Sequence, residues 1–406
     1  MAINIPTGTT QYNIEDDGKT YILKANSTLD VTGSDSAIFG ANGFNDDKII
    51  VNGDITQTGS AFAAVVLSGD SMVLQLSTTG SIVGTSGAEF IGANSKVIND
   101  GNITSTAANG YGVYFEGLNT EITNTRNIIA TGLDGSAIGA FGDNSEIHNN
   151  GKLQGAFGIN ATDHRTTVDL GQNSRVIGTE AAIFSESTES TDKIHLTNDG
   201  KITGQGGGYA IQLGDGNDTV INHGTIAGRI YMGTGKDIFV EKGGTLDHKV
   251  EGGAGDDLLI TDNAGTKLKE NGGSEGFDTV RSSVSYVLSA NVEQLILTGN
   301  NNINGKGTAD GSWLTGNSGN NKLTGVDGSG SDTFIFKTGG GHDTLMDFDA
   351  GTDKIDVSKW NGLDNLQEIK QHAVNSGGDV HINFGGDELI ILNTTKNDLH
   401  NGDFIF

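Results

Sequence analysis

The chain has 406 residues, 64 of them glycine, with one proline and no cysteine; Asp and Glu number 51 against 24 Lys and Arg, for a formal net charge of −27. That charge excludes nucleic-acid binding as an expected role, since phosphates would be repelled. The missing cysteine excludes a disulfide framework and a thiol nucleophile, and the lack of a Gly-X-Y period with almost no proline excludes collagen. Aromatic residues make up only 6 %, which argues against a thick globular core and for the thin Val, Ile, Leu, Ala and Phe core of a solenoid.

In chain order, residues 1–45 are read as an N-terminal cap with the first coils, with TYILKANSTLDV (20–31) strand-like. The opening MAINIPTGTTQYNIEDDGKTY has no basic region followed by an apolar run, so it is not expected to act as a Sec-type signal peptide. No run of about 18 apolar residues occurs, so no transmembrane helix is expected.

Residues 46–262 carry a degenerate repeat: DKIIVNGDITQTG (47–59), SKVINDGNITSTA (95–107), TEITNTRNIIATG (120–132), SEIHNNGKLQG (145–155), DKIHLTNDGKITGQG (192–206) and DTVINHGTIAG (218–228). Period-2 alternation predicts strands with one buried face. Asn and Gly at the bends supply the positive φ that sharp corners need. The turn asparagines Asn94, Asn119 and Asn144 recur every 25 residues. The fold class is therefore all-β, a parallel β-solenoid with coils stacked about 4.8 Å apart. The asparagines of VNG, NDG, NNG and NHG are read as structural, stacking in internal side-chain ladders.

Along this repeat one turn changes character. It is neutral or mixed at first (GDS, GANS, GLNT, GDNS), then becomes LGDGNDTVI (213–221), MGTGKDIFV (232–240), GGAGDDLLI (252–260) and GGSEGFDTV (272–280). The shared aspartates Asp218, Asp237, Asp257 and Asp278 are separated by 19, 20 and 21 residues. One turn per coil would put these carboxylates in a column. Stacked carboxylates repel unless a cation lies between them, and hard oxygen ligands point to calcium. Residues 263–315 are read as a linking segment, with the repeat interrupted over 263–290 and Asp278 off the strict register. Residues 316–406, with GSGSDTFIF, GGGHDTLMDF and GTDKIDVSKW, form a separate tail module.

These residues resemble the RTX proteins, bacterial calcium-binding nonapeptide-repeat proteins with the pattern GGxGxDxUx. GGAGDDLLI (252–260) matches fully, and LGDGNDTVI, MGTGKDIFV, GNSGNNKL and DGSGSDTF match in part. The tail resembles the C-terminal module of serralysin-type proteases, and the terminal DFIF is similar to their uncleaved secretion signal. The resemblance covers about 213–406 and implies a β-roll-type C-terminal calcium-binding module after the β-solenoid. It also implies carbonyl ligands from Gly214, Gly216, Gly233, Gly235, Gly253 and Gly255. Side-chain ligands would come from Asp218, Asp237, Asp257, Asp278, Asp332 and Asp343, with Asp347, Asp349, Asp353 and Asp356 as further tail ligands. Two departures matter. The family's roll turns every 18 residues or so with two calcium turns per coil, whereas one turn per 19–21 residues appears here. Asn321 stands where a ligand aspartate would be, and Lys236 precedes Asp237; both should weaken their sites.

Parallel β-helices are often polysaccharide lyases, hydrolases or epimerases, so convergent acids and bases were sought. The nine His form no HExxH or other zinc spacing. Asp163-His164-Arg165 is the lone candidate for sugar chemistry, Arg126 has no paired acid, and His148 and His223 are read as structural. No catalytic residue is assigned. The expectation is a secreted, extracellular or surface-associated calcium-binding protein of structural or adhesive role. Its expected partners are Ca2+, the type I secretion machinery, a cell-surface glycan and further copies stacked into fibres or sheets. A polysaccharide-acting enzyme is the alternative, and an RTX-type bacteriocin or toxin the less favoured one.

Overall fold

The computed structural model describes residues 2–59, 63–162, 165–270 and 276–406. Its secondary structure is nearly all β, and the strands wind as a parallel β-solenoid. Two compact units divide the chain: Met1–Thr234 with Gly244–His248, and Gly235–Gly243 with Lys249–Phe406.

In the first unit a coil contributes one strand to one sheet and two to the other. Lys96–Asn99 is followed by Asn102–Ser105 and Tyr111–Phe115, and the next coil repeats this with Glu121–Asn124, Asn127–Ala130 and Ser136–Ala140. Each strand pairs in parallel with its counterpart one coil on, so Val97, Ile122, Ile147, Val168, Leu196 and Val220 fall in one column. All six are buried. Period-2 alternation thus becomes stacked apolar columns, and stacking buries what one coil alone could not. Phe90 lies over Phe115 with ring centroids 5.1 Å apart. The segment expected to cap the N-terminus forms strands of the same kind: Ala2–Asn4 pairs with Thr20–Leu23, and Thr28–Thr32 with Asp54–Thr58.

The corners follow the asparagines. Asn94, Asn119 and Asn144 adopt φ of 56°, 54° and 59°. Their amides link coil to coil at 3.2 and 3.1 Å. A second, buried ladder runs inside: Asn99 Nδ2 donates to Asn124 Oδ1 (2.7 Å), Asn124 to Asn149 (2.6 Å) and Asn149 to Ser174 Oγ (2.5 Å). Each buried amide is thereby satisfied, which removes the penalty of burying it. Asn124→Ala would leave Asn99 Nδ2 and Asn149 Oδ1 each short of a partner. It is expected to cost about 2–4 kcal/mol in chemical denaturation, and a loss within experimental error would show the ladder to be passive.

The second unit has smaller coils. On one side Ile238–Glu241, Leu258–Thr261, Thr279–Ser282, Gln294–Leu297, Trp313–Thr315, Thr333–Lys337 and Lys354–Lys359 pair in succession. On the other, Tyr286–Val287, Gly305–Lys306, Lys322–Thr324, His342–Leu345 and Asp387–Ile391 do the same. The chain then closes with the antiparallel strands Asp379–Phe384 and Ala373–Ser376, beside the helix Leu366–His372. Pairing runs through 263–290: Leu268–Lys269 joins Val250–Ala254, and Thr279–Ser282 joins Leu258–Thr261. This corrects one expectation. Leu258 pairs with Thr279, so Asp278 lies in register with Asp257.

Candidate metal centre

The acidic turns need glycine where their backbones approach one another. Gly216, Gly233, Gly235, Gly253 and Gly255 all have positive φ, from 110° to 142°. A Cβ on Gly255 would sit 1.8 Å from the Gly235 carbonyl oxygen, and one on Gly233 1.8 Å from that of Gly214. Stacked turns therefore bring their carbonyls close to the next turn. Gly255→Ala combines this overlap with a φ of 121°. It is expected to destabilise the second unit by about 2 kcal/mol or more, read as a lower melting temperature.

Each turn ends in an aspartate whose side chain folds back into the coil. In the first unit Asp218 is 2 % exposed, and its Oδ1 accepts the Ile194 N–H at 2.7 Å. In the second unit Asp257 accepts the Asp237 N–H, Asp278 the Asp257 N–H, Asp332 the Ser312 N–H, Asp353 the Asp332 N–H and Asp343 the Asn321 N–H, all at 2.7–2.9 Å. All of these aspartates, and Asp237, are buried. One carboxylate oxygen is thus spent on the backbone of the preceding coil, and the other faces the turn.

The tail residues separate by environment. Asp347 is half-buried and spends both oxygens on the Gly325 and Val326 N–H groups. Asp349 is exposed. Asp356 is half-buried on the strand between the buried Ile355 and Val357, with its Oδ1 on the Ser358 N–H. Asn321 is buried, and its amide is taken up by Ile303 O and by Asn317. Lys236 Nζ reaches the exposed Asp256 carboxylate at 2.6 Å.

Asp257 and Asp278 are joined by a residue that the repeat pattern does not point to. Parallel pairing of Glu251 with Lys269 sets Glu270 beside Gly252. Asp257, Glu270 and Asp278 are all buried and offer carboxylate oxygens within 4.8 Å of one another. Among the described residues this is the one group of three His, Cys, Asp or Glu side chains that approaches so closely. Glu270 Oε2 accepts the Gly253 N–H at 3.2 Å, while Asp257 Oδ2 and Glu270 Oε1 have no hydrogen-bond partner. A Cβ on Gly252 would lie 2.3 Å from the first of these oxygens and 2.4 Å from the second, so glycine leaves the space beside both open.

The electrostatics match this geometry. Burial pushes Asp257 up to about 7, aided by Asp278 and Asp256; Glu270 up to about 8, aided by Asp278 and Asp257; and Asp278 up to about 6, aided by Glu293 and Asp256. Burial likewise raises Asp218, Asp332 and Asp343 to about 7. No lysine or arginine offsets any of these shifts. Unpartnered buried carboxylate oxygens with raised affinity for a proton are poised for a cation. An all-oxygen donor set suits a hard one such as calcium.

Glu270 lies in KLKENGG, outside any nonapeptide, and carries no spacing signal. Two other missed acids are Asp387, which holds the Gly339 and Gly341 N–H groups, and Asp403, which holds those of Gly351 and His400. Asp47 in the first unit repeats the aspartate arrangement: it is fully buried, its Oδ1 accepts the Lys19 N–H at 2.7 Å and its Oδ2 has no partner. NGFNDDKII (42–50) laid over GGAGDDLLI would have found it. Of the sugar-chemistry candidate, Asp163 and His164 lie outside the described residues. His148 and His223 are each beside an exposed carboxylate, Asp169 at 3.2 Å and Asp199 at 2.9 Å.

No curated protein matches the chain. Among solved structures, the extracellular lipase LipA of Serratia marcescens matches with 15 % identity over 61 % of this chain, and the chain spans 41 % of the lipase. The TM-score of 0.26 is too low to show a common overall fold. Residues 242–405, about two-fifths of the chain, match the model of the peptidase M10 serralysin C terminal. That stretch contains Asp257, Glu270, Asp278 and the tail aspartates, and the match agrees with the RTX-like character of its turns.

Proposed function

We propose that the chain is a secreted calcium-binding β-solenoid with a structural or adhesive role at the bacterial surface or in its matrix. The observation that carries this reading is the pair of partnerless buried oxygens, Asp257 Oδ2 and Glu270 Oε1, facing the space that Gly252 leaves open. Asp257, Glu270 and Asp278 would hold the ion, with carbonyls of the glycine turns completing the shell. Asp218, Asp237, Asp332, Asp343 and Asp353 would serve in other turns. Bound calcium supplies positive charge that the protein itself does not place there. Where free calcium is low, the turn carboxylates oppose folding of the second unit, which suits passage through a type I exporter. In millimolar calcium outside the cell, the same turns favour the wound state.

The similarity of residues 242–405 to a serralysin C terminal supports the export route. In the first unit Ala2–Asn4 is paired with Thr20–Leu23, and copies stacked end to end would pair through strands of this kind. The test of the calcium reading is titration of the metal-stripped full chain, followed by calorimetry and circular dichroism. Binding of several ions with a gain of ordered β-structure is the expected result. An unchanged spectrum and melting temperature on adding and then chelating calcium would overturn the reading.

A further inference from the structure

We propose that a row of basic residues in the first unit, Lys152, Arg175 and Lys201, binds an extended acidic polysaccharide of the uronic-acid type. Lys152 pairs in register with Arg175, and Arg175 with Lys201. Three cations therefore stand on consecutive coils at the strand spacing of about 4.8 Å. The rungs on either side, Asn127 and Thr225, are neutral. Like charges in register across strands are destabilising. In a chain with 24 basic and 51 acidic residues, such a row runs against both composition and packing.

Elsewhere this chain neutralises a basic rung with an acid on the neighbouring coil. Lys96 meets its register partner Glu121 at 2.5 Å, and Lys269 meets Glu251 at 2.9 Å. Among the described residues, the side chains of Lys152, Arg175 and Lys201 have no such acid partner.

A second observation locates the ligand. Arg175 and Lys201 line a groove of about 720 Å³ whose wall also carries Asn173, Thr203, Gln205 and Thr225. Its carboxylate, Asp199, is engaged by His223 Nδ1 at 2.9 Å. Amides and hydroxyls suit sugar hydroxyl groups, and the cations would take one carboxylate per sugar. The coil spacing is close to the length of one pyranose unit in an extended chain, so a linear polyuronate lying along the stacking direction meets one positive charge per residue. Duplex DNA carries one charge per about 1.7 Å of axis, far denser than this row, and would be repelled by the rest of the surface.

The inference does not depend on the calcium reading, and the experiment keeps the two apart. Binding of a defined polygalacturonate fragment and of its carboxyl-reduced counterpart is measured by calorimetry, once in saturating calcium and once in chelator. The acidic form is expected to bind in both, with affinity falling steeply as salt is raised. The triple variant Lys152→Gln, Arg175→Gln, Lys201→Gln should lose at least about tenfold in affinity, and the single Lys201→Glu should lose more than Lys201→Gln. Because the triple variant removes repulsion, its melting temperature should be unchanged or higher; the exposed single variants report independently. Equal binding of the carboxyl-reduced fragment, wild-type affinity in the triple variant, or tighter binding of duplex DNA would each overturn the proposal. So would self-association of the protein that disappears in the triple variant, since it would assign the row to the acidic turns of a second copy.

Discussion

Glu270→Gln is expected to remove about half of the calcium stabilisation contributed by its own site while leaving the metal-free fold of the second unit intact. The substitution keeps the shape of the side chain and its place beside Gly252, but removes the charge from one of the two partnerless oxygens. For the wild-type chain, calcium at a hundredfold its dissociation constant stabilises by about 2.7 kcal/mol per site. The variant should bind at least about tenfold more weakly and lose about 1.4 kcal/mol or more of that gain at the same calcium concentration. Without metal at neutral or higher pH it should melt no lower than wild type, because an ionising carboxyl in a buried, uncompensated position has been replaced by an amide. Asp257→Asn should act in the same direction, since Asp257 supplies the other partnerless oxygen. This crossing of the stability order between chelator and calcium, followed by differential scanning calorimetry, separates a ligand from a packing residue. A packing residue would lose the same amount in both conditions, and that outcome would falsify the assignment of Glu270.

The metal-free protein should become less stable as pH rises from about 5 to 8, the reverse of ordinary acid denaturation. Asp218, Asp257, Asp332 and Asp343 are raised to about 7, Glu270 to about 8 and Asp278 to about 6. In the unfolded chain these groups titrate near 4. Between those values the folded state holds more protons than the unfolded one, so stability falls with increasing pH. The contribution is fully present below about pH 4 and is lost as pH passes through 6 to 8. A fall in melting temperature of at least about 5 °C across that window is expected. Calcium reverses the sign: ions displace protons, affinity grows from pH 5 to 8, and calcium added near pH 6.5 releases protons. Calorimetry in buffers of different ionisation enthalpy measures that release directly. No proton release, together with a flat melting profile in chelator, would mean that these carboxylates are charged and compensated by other means.

The amino-acid order alone determined the class of fold, and the reason is local. Alternation such as KVIN or EITN admits a strand with one buried face, and asparagine at 94, 119 and 144 admits the left-handed corner found there. Equal spacing then makes identical residues meet, as in the Asn99–Asn124–Asn149 ladder, whereas the aspartate turns, 19–21 residues apart, were legible only as one turn per coil. The burial of the aspartates that end the glycine turns was not legible, and it is the structure that shows them folded back into the coil.

What lay beyond the sequence depended on how many residues each turn absorbs. Asp278 seemed displaced by its longer turn, yet strand pairing returns it to the column. Glu270 belongs to no repeat, and only the pairing of Glu251 with Lys269 carries it to Asp257. Lys152, Arg175 and Lys201 are separated by unequal intervals of 23 and 26 residues, so no period exposes them as neighbours. Alternation and corner chemistry act within a few residues and can be read from the chain. Register between coils is set by the whole stack settling its apolar columns at once, and only the tertiary structure decides which charges then face each other.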